Sequence, residues 1–142
     1  MTQAAISSEI RDFLSHGTRT ASLATVLPDG TPHVMPVWFV LDGDQVVFTT
    51  PGGSAKGRNI QRDPRVALVV DDEEPPYAFV HLRGTAAIST DPEELLRFAT
   101  EIGGRYMGSG RAGEFGRRNG VPGELLVRVA PQRVIVNTNV AG

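Results

Sequence analysis

The sequence predicts a mainly β, α+β domain: a six-stranded antiparallel barrel with peripheral helices at its rim. Three observations carry this. Runs of alternating or β-branched residues recur, separated by tight-turn signals at PDG (28–30) and DGD (42–44). Strand-type runs outnumber helical ones and do not alternate regularly with them, which argues against a doubly wound parallel sheet. The chain has 142 residues, 40% of them hydrophobic, with no internal repeat and no linker-like stretch, so residues 1–142 read as one domain with one core.

The elements follow in order. Ile6, Ile10, Phe13 and Leu14 share one face of a helix over about 7–15, with Ser7 or Ser8 as its cap. Residues 20–27, TASLATVL, alternate as a strand does. HVMPVWFVL, 33–41, reads as one long strand, and Pro36 places it at an edge or a bulge. DGD then turns the chain into a returning strand, QVVFTT, at 45–50. PGG breaks it, and Ser54 caps a short helix over 54–63, closed by Asp63 and Pro64. RVALVV, 65–70, has the composition of a buried strand. The loop DDEEPP follows, and its acids read as solvated. YAFVHLRGTAAIS, 77–89, is a further strand, with a bulge or a close backbone approach expected at Gly84. Asp91, Pro92 and Glu94 open a helix that runs to about Met107. The glycine-rich, basic segment 108–120 reads as a mobile loop or a broken helix. ELLVRVAPQRVIVNT, 124–138, supplies one or two closing strands around Pro131.

Composition bounds the function. A net charge of −2 gives no general attraction to nucleic acid or anionic lipid. There is no cysteine, so disulfides and thiolate metal sites are excluded, in keeping with a reducing cytoplasm. The first residues have no basic segment followed by an apolar one, and no apolar run approaches the roughly 18 residues of a membrane span. The three histidines, 16, 33 and 81, lack metal-ligand spacing. His33 and His81 read as strand residues with satisfied side chains. No catalytic residue and no metal ligand stands out.

One stretch does. Lys56 is the only lysine among fourteen basic residues, and it sits in PGGSAKGRN, where a strand gives way to a helix. A cation in a helix's first turn opposes the helix dipole, at a cost of a few tenths of a kcal/mol. A bound anion reverses that balance, because dipole, free amides and lysine then all attract it. A phosphate site is the sharp reading, and an exposed surface lysine is the plain one. The P-loop pattern G-x-x-x-x-G-K-[ST] is absent. Trp38 reads equally as a core residue or as a platform for a flat ring. A chain with so little acid–base apparatus can still perform redox chemistry when a cofactor brings the reactive centre.

These residues form a pattern. Gly30 and Pro32 precede the long strand, and Phe48, Thr49 and Thr50 end the next. Then come Ser54, Lys56, Gly57, Arg58, Asn59 and Ile60, followed by Asp63, Pro64, Arg65, Val66 and Ala67. The order resembles the split β-barrel flavin-binding family of pyridoxamine phosphate oxidase over about residues 20–90, and Arg128–Pro131 resembles its closing strand. The resemblance implies a six-stranded antiparallel split barrel, a homodimer, and two cofactor sites between subunits. It implies that Ser54 and Lys56 lie near the cofactor phosphate, with Ala55 and Gly57 beside them in the cofactor site. Thr49, Thr50, Met35, Pro36, Val37, Trp38 and Phe79 would lie along the ring.

Departures refine this. Met35 stands where the oxidase subfamily has a phosphate-binding arginine, Ala55 where it has a basic residue, and Phe79 where it has a glutamine near the ring. No segment matches its terminal Arg-x-His. These changes point away from oxidation of pyridoxamine phosphate. The short form, with GGSAK and an upstream Trp38, is more similar to the reductases that use the deazaflavin coenzyme F-420. The expectation is a cytoplasmic enzyme passing a hydride from reduced coenzyme F-420 to an activated double bond of a small molecule. Arg58, Arg62 and the basic residues of 111–118 would meet the cofactor's anionic tail. The alternatives are an FMN-binding oxidase or flavin reductase, and a non-catalytic carrier of flavin, deazaflavin or haem. Nucleic-acid binding is a distant fourth.

Overall fold

A computed structural model describes residues 4–142. Its elements are α1 (Ser8–Ser15), β1 (Ala21–Val26), β2 (Pro32–Val37), β3 (Val40–Asp42), β4 (Gln45–Pro51), α2 (Ala55–Arg62), β5 (Arg65–Asp72), β6 (Ala78–Ser89), α3 (Pro92–Met107), α4 (Ala112–Asn119) and β7 (Glu124–Asn137). A single 3-10 turn, Ser109–Arg111, joins α3 to α4.

The seven strands form one antiparallel sheet in the order β2-β1-β5-β6-β7-β4-β3. The strand expected at 33–41 is interrupted at Trp38 and Phe39, and this raises the count from six to seven. The interruption explains the shape. β2 and β3 are the two outer edges of the sheet, yet only two residues separate them in the chain. So short a link lets both edges be reached only if the sheet curls on itself, which leaves a split barrel bridged at Trp38–Phe39. Pro36 lies on edge strand β2, where a missing N–H removes no ladder bond.

The two sides of the sheet separate by period-2 alternation. Leu23, Leu68, Val70, Val80, Leu82, Phe48 and Val127 fill the barrel with almost no exposure, and Leu14 of α1 plugs one end. On the outside of β4 and β7, Val47 and Leu126 pack against Leu95 and Phe98 of α3. The bulge expected at Gly84 is a register shift between Arg83 and Gly84, and Gln132 of β7 is the extra residue. β7 is one continuous strand, resolving the choice between one and two.

The segment 108–120 is structured: the 3-10 turn and α4 pack on α3. Its glycines are contact points. A Cβ on Gly116 would lie 2.1 Å from Thr100 Oγ1, and one on Gly103 of α3 would lie 2.4 Å from the Phe115 Cβ. The histidine expectation fails in one respect, since Nδ1 of both His33 and His81 is buried without a hydrogen-bond partner.

The break at Trp38–Phe39 is secured by α3. Phe39 N–H donates to the Tyr106 hydroxyl at 3.1 Å, and that hydroxyl donates to the Arg19 carbonyl at 2.8 Å. Arg105 donates to the carbonyls of Gly17, Phe39 and Leu14. Burial pushes the Tyr106 hydroxyl up and pulls the Arg105 guanidinium down from their ordinary pKa values. No helix among the described residues is long and apolar enough to cross a membrane.

Candidate functional site

The N-terminus of α2 owes its conformation to Ser54. The residue is extended, and its hydroxyl accepts from Gly57 N–H at 3.0 Å. The same oxygen donates to the Pro51 carbonyl at 2.8 Å and lies 2.9 Å from Thr50 Oγ1. Ser54 and Thr50 therefore build the turn, and their hydroxyls are committed within it. Gly57 is required by space, because a Cβ there would sit 2.3 Å from the Pro51 carbonyl oxygen. The amides of Ala55 and Lys56, at the start of the helix, precede the first i→i−4 acceptor and are left for another partner. The first turn of α2 contains no acid.

The far end of α2 is tied to the barrel. Asn59, 2% exposed, donates from Nδ2 to Thr25 Oγ1 at 3.0 Å. Arg62 donates to Asn59 Oδ1 and to the Val26 carbonyl. The Arg62 side chain is thus occupied with holding α2 on β1. Arg58 is exposed, with no carboxylate partner among the described residues.

A cleft of about 230 Å³ opens on the outside of the barrel beside this helix. Pro36, Val37, Trp38, Thr49, Lys56, Ile102 and Asn119 line it. The structure brings five predicted residues together here, from β2, the strand break, β4 and α2. Thr49 points outward on β4 while Thr50, 1% exposed, points into the barrel. Trp38 forms one wall. Its ring stacks on Tyr106 at 4.9 Å between centroids and 4° between planes, and Phe115 supports it at 6.0 Å. Trp38 is a rigid wall here, 37% exposed, and not a core residue.

Met35, Ser54, Ala55, Gly57, Arg58, Arg62, Thr50 and Phe79 do not line this cleft. Phe79 lies on β6 between Asp71 and Asn137, on the outer face of the sheet. Conversely, Ile102 of α3 and Asn119 of α4 line the cleft without being foreseen. Only packing of α4 on α3 brings them there, and no local motif announces it. Lys56 is the charged residue that lines the cleft, and it lies near Glu124, the cross-strand partner of Pro51, which does not line it. Burial pushes the Glu124 carboxyl up, and the Lys56 ammonium pulls it back down.

The arrangement is a cation and two unclaimed amides at one end and apolar, partly aromatic walls at the other. It suits a planar molecule bearing a phosphate. No acid or base among the lining residues is placed for proton transfer.

Comparison with known proteins places the fold. The family model for pyridoxamine 5'-phosphate oxidase matches residues 6–137. The chain belongs to that family. A curated pyridoxine/pyridoxamine 5'-phosphate oxidase of Rubrobacter xylanophilus is 36% identical over 88 residues, covering 61% of this chain and 40% of the oxidase. The chain thus matches well under half the length of that relative. Among solved structures, a conserved hypothetical protein of Mycobacterium tuberculosis is 29% identical, with a TM-score of 0.80 over 96% of this chain and 89% of its own. An F-420 reductase is also 29% identical, with a TM-score of 0.69 over 87% of this chain and 94% of its own. The family membership makes this a protein with a flavin-binding oxidoreductase fold.

Proposed function

We propose that this chain is a homodimeric cytoplasmic oxidoreductase that uses coenzyme F-420 to reduce an activated double bond of a small molecule. One observation carries the reading: Lys56, the only lysine, shares a cleft with Trp38, Pro36 and Thr49. The likeness to an F-420 reductase supports it.

Reduced deazaflavin, when bound, supplies the hydride. The chain supplies position. The Lys56 ammonium and the amides of Ala55 and Lys56 hold the phosphate. The Trp38 indole, Val37, Ile102 and Thr49 would exclude water from the ring system. Arg58, Arg117 and Arg118 have no carboxylate partner among the described residues and are free for an anionic tail. Arg62 and Arg111 are already engaged, with Asn59 and Glu114 respectively. Fixing donor and acceptor in near contact contributes roughly 7–11 kcal/mol in favourable systems, so orientation alone accounts for substantial catalysis. Solvent provides the proton.

The test is a side-by-side equilibrium titration of the purified protein with coenzyme F-420 and with FMN. Tighter binding of coenzyme F-420 is expected. Preference for FMN, or a protein that purifies yellow, would replace this reading with a flavin oxidase or reductase, the reading favoured by the name of the curated relative. Failure to bind either rejects both.

A further inference from the structure

α1 plugs one end of the barrel, and a cavity of about 630 Å³ is lined there by α1, the start of β6 and the end of β7. That volume falls within the roughly 300–1,000 Å³ of most ligand sites, and no residue that lines it also lines the Lys56 cleft. Its deeper surface is apolar. Val80 has no exposure, and Ile10 and Phe13 are half-buried against the barrel core. Val136, the cross-strand partner of Val80, is 41% exposed and completes this surface.

The rim is charged, and its charges do not cancel. Glu9 and Asp12 of α1 are exposed, and neither meets an arginine, lysine or histidine within ion-pair distance among the described residues. Arg19, the one arginine of the lining, is already engaged. It pairs with Asp72 at 3.3 Å, donates to the Phe13 carbonyl at 2.9 Å and lies 4.4 Å from the centroid of the Phe13 ring. Glu9 has an ordinary explanation, since an acid in the first turn of a helix suits the dipole. Asp12 has none. It falls in the last turn of α1, where the dipole is negative, and that turn holds no base. A cation bound beside Asp12 would reverse this unfavourable placement.

We propose that this cavity is a second ligand site, for a small organic cation: an ammonium group carried on an aromatic or aliphatic body. The body rests on Ile10, Phe13, Val80 and Val136, and the ammonium meets Asp12 and Glu9. An anion would face two carboxylates with the one arginine already neutralised by Asp72. A neutral molecule would use the apolar surface and leave both carboxylates unanswered. The site does not rest on the cofactor reading of the preceding section, because the two cavities have no lining residue in common.

One body with three charges tests it. The full chain is titrated with phenethylammonium, phenethyl alcohol and phenylpropionate, followed by amide and methyl NMR. The ammonium should bind and shift the signals of Phe13, Val80 and Val136. The alcohol should bind about tenfold more weakly, for want of the charge-assisted contact, and the carboxylate should not bind. Added salt should weaken the ammonium and spare the alcohol. The double variant Glu9→Gln, Asp12→Asn, at exposed positions, should lose about tenfold in ammonium affinity and keep its affinity for the alcohol. Val136→Trp should fill the cavity and abolish both while far-UV circular dichroism stays unchanged. Equal binding of ammonium and alcohol, undiminished binding by the double variant, or shifts at Trp38 and Lys56 in place of the cavity would each overturn the proposal. So would an ammonium that fails to bind the parent protein at millimolar concentration.

Discussion

Two helices of this molecule begin in opposite ways. α3 starts with Asp91, whose carboxylate accepts from Glu94 N–H at 3.1 Å, then Pro92, Glu93 and Glu94. Glu94 in turn accepts from Ser89 Oγ at 2.9 Å and Arg128 at 3.0 Å, and these hold its carboxyl below the usual range. Every device that calms a helix's positive end is present. α2 starts with Ser54, Ala55 and Lys56, with no acid, and adds a cation where the dipole is already positive. The difference teaches that an N-terminus can be built to complete itself or to wait for a guest. α3 is completed by its own side chains, whereas α2 has the Ser54 cap but leaves the amides of Ala55 and Lys56 without a partner, as the proposed phosphate site requires.

Substitutions break or sharpen that contrast. The largest effect is expected from Lys56→Ala, which should weaken cofactor binding by about 1.5–3 kcal/mol through loss of a charge-assisted contact. The melting temperature of the cofactor-free protein should hardly move, and unchanged affinity in a titration would reject the phosphate role. Gly57→Ala forces a methyl group against the Pro51 carbonyl and should cost about 1–3 kcal/mol of stability by urea unfolding. At the other helix, Asp91→Ala should cost about 0.5–2 kcal/mol of stability and leave cofactor affinity intact. A loss of affinity there would mean the two ends are not separate in function. Ala55→Glu gives α2 the acid it lacks. It should raise stability by about 0.3–1 kcal/mol while repelling the phosphate, so unfolding and titration should move in opposite directions.

The smallest effect is a pH dependence at the other end of α2. Hydrogen bonds from Arg65, first from its side chain and then from its backbone N–H, pull the Asp63 carboxyl from 3.8 to about 2. A depressed carboxylate stabilises the fold above its unfolded value and loses that contribution as pH falls toward about 2. Unfolding curves of Asp63→Asn and the parent should therefore converge as pH is lowered from about 4 to about 2. A constant gap across that window would contradict the assignment.

The caps of α1, α2 and α3, the hairpin at 42–44 and the bulge at Gly84 were readable in the sequence because each depends on residues a few positions apart. The interruption at Trp38–Phe39 was not. Its residues are good β-formers, and only α3, over sixty positions away in the chain, supplies the partners that replace the ladder. The segment 108–120 reads as a mobile loop or a broken helix, and the structure takes the second form, for a related reason. Its glycines look like loop residues, yet Gly116, with Gly103 of α3, lets α3 and α4 approach closely. Ile102 and Asn119 reach the cleft through that contact. Lys56, Trp38 and Thr49, which dipole, charge and strand geometry single out locally, do meet in one cleft. The site was unreadable where one helix packs on another.

Tyr106 carries a last consequence. One phenol both stacks under Trp38 and takes the place of a missing strand neighbour at Phe39 and Arg19. The gap in the barrel is therefore a riveted seam. Ile102 of the same helix lines the cleft, so one helix carries both a wall of the cleft and the support of the facing indole.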